Sequence, residues 1–99
     1  MEIKIQSIKF DATETLQAFI EKKVAKLEKT YEEILKADVQ LKVVKPATAH
    51  NKETSLSVAV PGTTLFVDKV CDTFEEAVDK CVDSIKVQLE KYKDKKREA

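Results

Sequence analysis

Asp79-Lys80-Cys81-Val82-Asp83-Ser84-Ile85-Lys86-Val87-Gln88-Leu89-Glu90-Lys91-Tyr92-Lys93-Asp94-Lys95-Lys96-Arg97 is the stretch from which the rest of the chain can be read. Apolar side chains recur at Phe74, Val78, Cys81, Val82, Ile85, Leu89 and Tyr92, three and four residues apart. That spacing predicts one buried stripe along an amphipathic helix. At about 100° per residue, Lys80, Lys91 and Lys95 fall opposite the stripe, while Asp79, Asp83, Glu90 and Asp94 gather on one flank. The helix ends in a lysine-rich run over residues 91–99. Thr73, with Glu76 three positions on, is a capping box that opens it.

Such a helix needs a surface to cover its stripe, and the preceding segments supply one. Leu56, Val58 and Val60 alternate with polar residues, Pro61-Gly62 makes a tight turn, and Leu65 and Val67 return. Residues 54–70 therefore read as a β-hairpin. Val39, Leu41 and Val43 alternate with Gln40 and Lys42 in a strand near 37–45 that Pro46 ends, followed by a polar loop through Glu53. Leu16, Phe19, Ile20, Val24, Leu27 and Tyr31 form the stripe of a first helix over 13–30, with Asp11 and Thr13 as N-cap candidates. Residues 2–8 alternate, Ile3 and Ile5 against Lys4 and Gln6, as a half-buried strand. The order is β-α-β-β-β-α without repeats or linker. The expectation is a single α+β domain over residues 1–99, one four-stranded sheet with both helices packed on one face and the other face open to water.

With 36% charged and 42% hydrophobic residues in a chain of 99, the composition fits a small soluble domain. No apolar run approaches a membrane span, and Met1-Glu2-Ile3-Lys4 begins a strand pattern rather than a signal peptide. Cys71 and Cys81 are too few for a disulfide framework and read as reduced structural thiols of a cytoplasmic protein. Eighteen basic residues cancel eighteen acidic ones. That total argues against a nucleic-acid binder, DNA binders included, unless charge is separated in space.

Motifs for chemistry are missing. The one histidine, His50, lies in a loop, and the two cysteines are ten apart with no histidine near them in sequence. Zinc spacing, a phosphate loop, a dinucleotide fingerprint and a nucleophile elbow are all absent. Most carboxylates sit at helical spacing beside lysines, as solvated partners. We therefore expect no catalytic residue, metal or cofactor, and no enzyme. What remains is sorted charge. On the first helix Glu14, Glu21 and Glu28 line one flank and Lys22, Lys26 and Lys29 the other, with Lys23 snorkelling at the seam with the sheet. A charge-balanced solvated helix explains this pattern, and so does a ridge that tracks phosphates. Lysines on helices would recognise an A-form RNA by shape, with steep salt dependence. Phe66 alone offers no platform for stacking bases. If the two helices lie side by side in parallel, the acidic flank of one meets the basic ridge of the other, and the positive patch narrows.

Thr13-Glu14 opening a helix, Ala25-Lys26-Leu27-Glu28 within it and the Pro61-Gly62 hairpin are followed by Ala77-Val78-Asp79 with Gln88-Leu89, then Lys91-Tyr92-Lys93-Asp94-Lys95. In this order the motifs resemble the bacterial ribosome hibernation promoting factors, a family that includes protein Y and members labelled sigma-54 modulation proteins. The chain is similar to the short form along nearly its whole length. The resemblance implies a fold like a double-stranded-RNA-binding domain and a site on the small ribosomal subunit, between head and body, where messenger and transfer RNA lie. It implies contact with 16S rRNA and nearby ribosomal proteins, inhibition of translation in idle ribosomes, no membrane, and a monomer when free. Carried across residue by residue, the RNA-contacting lysines are Lys23 and Lys26, then Lys91, Lys93 and Lys95. Charge position adds Lys22, Lys29, Lys80, Lys86, Lys96 and Arg97. Ser84 and Val87 stand where many relatives carry basic residues. The second domain by which long-form relatives pair ribosomes is lacking, so direct ribosome dimerisation by this chain is not expected. The alternative is a protein-binding regulator, a non-ribosomal adaptor or a transcription-related modulator, that uses the open sheet face; Val44, Phe66 and Val87 read as exposed.

Overall fold

The computed structural model describes residues 2–8, 11–44 and 51–98, with side chains as far as Lys95. Its elements are β1 (Glu2–Ile8), α1 (Glu14–Ala25), α2 (Leu27–Thr30), β2 (Lys36–Val43), β3 (Lys52–Val60), β4 (Thr63–Cys71) and α3 (Phe74–Glu98). The four strands form one sheet in spatial order β1-β2-β3-β4. β1 pairs parallel with β2, so α1 and α2 are the crossover that such a pair requires. β2, β3 and β4 pair antiparallel as a meander.

Register places Ile5, Val39, Leu56 and Val67 in one row across the sheet, and Ile3, Ala37, Val58 and Leu65 in the next. Both rows face the helices. Ile20, Val24 and Leu27 come down from α1 and α2, and Val78, Cys81, Ile85 and Leu89 from α3, each at most 1% exposed. Ala77, fully buried, belongs to the same α3 face although the apolar spacing did not single it out. On the opposite face Lys4, Asp38, Ser57 and Phe66 form one row, and Gln6, Gln40, Ser55 and Asp68 the next. The alternation of period two thus sorts a core face from a polar one.

Both helix starts are set by threonine. Thr13 Oγ1 accepts from Leu16 N–H at 3.1 Å, and Thr73 Oγ1 accepts from Glu76 N–H at 3.1 Å. The first helix differs from the expected unbroken 13–30. It is interrupted at Lys26, where Lys29 N–H donates to the Lys26 carbonyl at 3.1 Å in a tight 3₁₀-type turn. Leu27 and Tyr31 remain buried beyond the break. The second strand stops at Val43, two residues short of expectation; Pro46 and His50 lie outside the described residues.

Two polar groups are sealed into this core. The Cys81 thiol donates to the Thr54 carbonyl at 3.3 Å. Burial pushes its pKa up to about 12, helped by Asp68 and Cys71 and opposed by Lys69, so it stays a thiol at neutral pH. Thr54 is 1% exposed, and its hydroxyl has no hydrogen-bond partner among the described residues.

Candidate nucleic-acid interface

Packing on one sheet face brings α1 and α3 side by side. Lys23 Nζ of α1 lies 3.0 Å from Asp79 Oδ1 of α3. Further along both chains, Lys26, Leu27, Lys29 and Thr30 face Val82, Asp83 and Lys86, and then Lys29 and Thr30 face Glu90, Lys93 and Asp94. Residue numbers rise together on the two walls, so the helices run parallel, and a shallow groove of about 470 Å³ opens at the Lys23–Lys86 stretch.

The walls differ in charge. The α1–α2 wall presents Lys23, Lys26 and Lys29 with no carboxylate among its groove residues. The α3 wall presents Asp79, Asp83, Glu90 and Asp94 together with Lys86 and Lys93. The acidic flank of α3 therefore meets the basic ridge of α1, and the groove is a mosaic rather than an unbroken positive strip. The ridge itself survives on the α1 side, where Lys22, Lys26 and Lys29 are exposed at spacings of four and three.

The expected lysines as far as Lys95 each have a definite place. Lys23 does not snorkel toward the sheet. It is held at the seam between helices by Asp79 and by the Phe19 ring, whose centroid is 5.6 Å from its ammonium. Lys80 is exposed on α3 and tied to Glu76 one turn back, Nζ–Oε1 3.4 Å, which raises its pKa. Lys86 and Lys93 stand at the groove, and Lys91 and Lys95 are exposed on the last turns. The side chains of Lys96 and Arg97 lie outside the described residues. Ser84 is half-buried, and Val87 is 49% exposed.

One contact was hidden in the sequence. Tyr92 reads there only as the last residue of an apolar stripe, but its hydroxyl donates to the Pro61 carbonyl in the β3–β4 turn. Its ring also packs against Tyr31, centroids 5.9 Å apart at 60°. A phenol at the end of a stripe, followed by exposed residues, is the only sequence signal that hints at such an anchor.

The rest of the surface offers little chemistry. Among the described residues no group of three or more His, Cys, Asp or Glu side chains is placed to hold a metal. Nor is any described helix long and apolar enough to cross a membrane. On the open sheet face Lys4, Lys36, Glu2 and Asp38 balance one another around a polar basin, Lys36 lying 3.7 Å from Asp38. Phe66 and Val70 are exposed on that face, at 59% and 46%.

This fold is shared. It is similar to the crystal structure of the N-terminal domain of Thermus thermophilus Protein Y, at 25% identity and TM-score 0.80, over 93% of this chain and 99% of that one. It is also similar to the structure of a ribosomal subunit interface protein from Coxiella burnetii, at 24% identity and TM-score 0.83, over 94% and 98%; this second likeness speaks to the fold alone. No curated protein matches the sequence. The family described as sigma 54 modulation protein / S30EA ribosomal protein matches residues 3–97, which take in all but the outermost residues of the fold from β1 to α3, and this chain belongs to that family.

Proposed function

We propose that the chain binds the small ribosomal subunit in the messenger and transfer RNA channel and silences idle ribosomes by occupying it. The family match over residues 3–97 carries this reading, and the placement of the helical lysines supports it. Action is by binding and not by catalysis, in the cytoplasm, with a free monomer as the active species. Lys22, Lys26 and Lys29 on the α1 side, Lys86 and Lys93 at the groove, and Lys91, Lys95, Lys96 and Arg97 at the helix end track phosphates of 16S rRNA. Lys23 and Lys80 already hold Asp79 and Glu76, so they contribute less. The basic ridge of α1 and the helix end are separated by the acidic residues of α3. Contact is therefore made by two cationic edges rather than one continuous patch.

Ribosome pelleting across a salt series tests this. Association should weaken steeply with salt, by roughly 0.7 to 0.9 in log K per log salt for each phosphate contacted. Exchanging Lys91, Lys93 and Lys95 together for Glu should abolish pelleting at moderate salt without unfolding the chain, since none of the three is buried. Failure of the wild-type chain to pellet even at low salt rejects the reading. The exposed Phe66 and Val70 favour the other reading, a protein partner on the sheet face. Recovery of one defined protein after ribonuclease treatment, without ribosomes, would establish that instead.

A further inference from the structure

We propose that Tyr92 is a positioning residue for RNA binding: by fastening α3 to the β3–β4 turn it sets where Lys91, Lys93 and Lys95 point. The inference rests on the ribosome-binding reading above. Leu89 is fully buried, Tyr92 is half-buried, and Lys93, Asp94 and Lys95 are exposed. Tyr92 is thus the last side chain on the buried stripe among the described residues, and Lys91 and Lys93 flank it directly in sequence. It grips two elements at once. Its hydroxyl donates to Pro61, and its ring lies against Tyr31, which is buried just after α2 and donates in turn to Glu33 Oε2 at 3.3 Å.

The turn is shaped for this grip. Gly62 has φ +93°, and a Cβ there would meet the Tyr92 hydroxyl at 3.0 Å, so the turn leaves room for the phenol as well as adopting a backbone that favours glycine. Beyond Tyr92 about two turns of α3 remain, and among the described residues none of their side chains is buried, so they fray from the free end unless the helix is held at Tyr92. The anchor at Tyr92 limits how far that fraying runs back. A frayed end would have to be ordered upon binding, at a cost in affinity, and its ammonium groups would lose their common spacing.

Tyr92→Phe removes one hydroxyl and keeps the ring, and Tyr92→Leu removes both grips while staying apolar. For Tyr92→Phe, amide hydrogen exchange at residues 93–97 should accelerate by about 3- to 10-fold, the effect of one net hydrogen bond. Ribosome affinity should fall by a similar factor, and Tyr92→Leu should exceed both. Global loss of stability would lower the folded fraction but leave the salt slope intact. Mispositioned lysines lower the slope itself, by about 1 to 2. In a Lys91→Gln, Lys93→Gln, Lys95→Gln background, Tyr92→Phe should cost less affinity than it does in the wild-type chain, because only Lys96 and Arg97 remain beyond the anchor. The proposal is overturned if Tyr92→Leu retains wild-type exchange at 93–97, or if it loses affinity with an unchanged salt slope. Should the wild-type chain itself fail to pellet, the ribosome reading falls and takes the tail's binding role with it.

Discussion

At the scale of single residues, Thr54 is the point where this core departs from apolar packing. Thr54 sits between Leu41 of β2 and Lys69 of β4 and turns toward the helices, where its β-branched shape suits a strand. Its carbonyl receives the Cys81 thiol, but its hydroxyl receives nothing among the described residues. A buried hydroxyl without a partner costs about 1 to 3 kcal/mol. Thr54→Val keeps the shape and removes that cost. We expect a gain in stability of about 1 kcal/mol, read as a higher urea midpoint at unchanged m-value. A loss would mean that the hydroxyl is satisfied in solution. Nothing in the sequence marks this position, since a threonine inside an alternating strand is ordinary. Its isolation becomes visible only when the three neighbouring elements close over it.

At the scale of elements, α3 is the part that was most legible. The three-and-four spacing from Phe74 to Leu89 assigned the buried side correctly, because a helical period is a local property that no partner is needed to reveal. Thr73 set its start for the same reason. Two neighbours on this helix should behave very differently. Ile85→Ala opens a cavity in the fully buried stripe and should cost about 2 to 5 kcal/mol. Val87→Ala, half exposed on the outer side, should change stability by under about 0.5 kcal/mol. Equal effects in chemical denaturation would show that the helix is turned from the orientation described. α1 was less legible. Its stripe is continuous in sequence, yet the helix breaks at Lys26, because keeping Leu27 and Tyr31 in the core through the turn into β2 tightens the backbone there.

At the scale of the whole molecule, charge location matters more than charge count. The formal total is zero, so any attraction to RNA must come from where the lysines stand. Two triple variants separate location from count. Exchanging Lys22, Lys26 and Lys29 for Gln, or Lys4, Lys36 and Lys42 for Gln, takes the chain from 0 to −3 in either case. The first set belongs to the α1 ridge, and the second lies on the open sheet face. Only the first should weaken ribosome association, lowering the salt slope by about 2 to 3. Equal losses would mean that net charge alone steers binding. The molecule extends 49 × 23 × 17 Å, and α3 alone, 25 residues at about 1.5 Å each, is longer than either of the two shorter dimensions.

By itself the sequence determined the order of the elements, the buried side of each helix, the threonine caps and the hairpin turn. These follow from dihedral preference and from periods of 2 and 3.6, which act over a few residues. Only the tertiary structure decided how the charged flanks face one another. Parallel packing of α1 on α3 set Lys23 against Asp79, put four carboxylates opposite the basic ridge, and brought Tyr92 to a carbonyl 31 residues away. The reason is that polar flanks carry no period of their own that specifies a partner. Their neighbours are chosen by how the apolar faces beneath them pack.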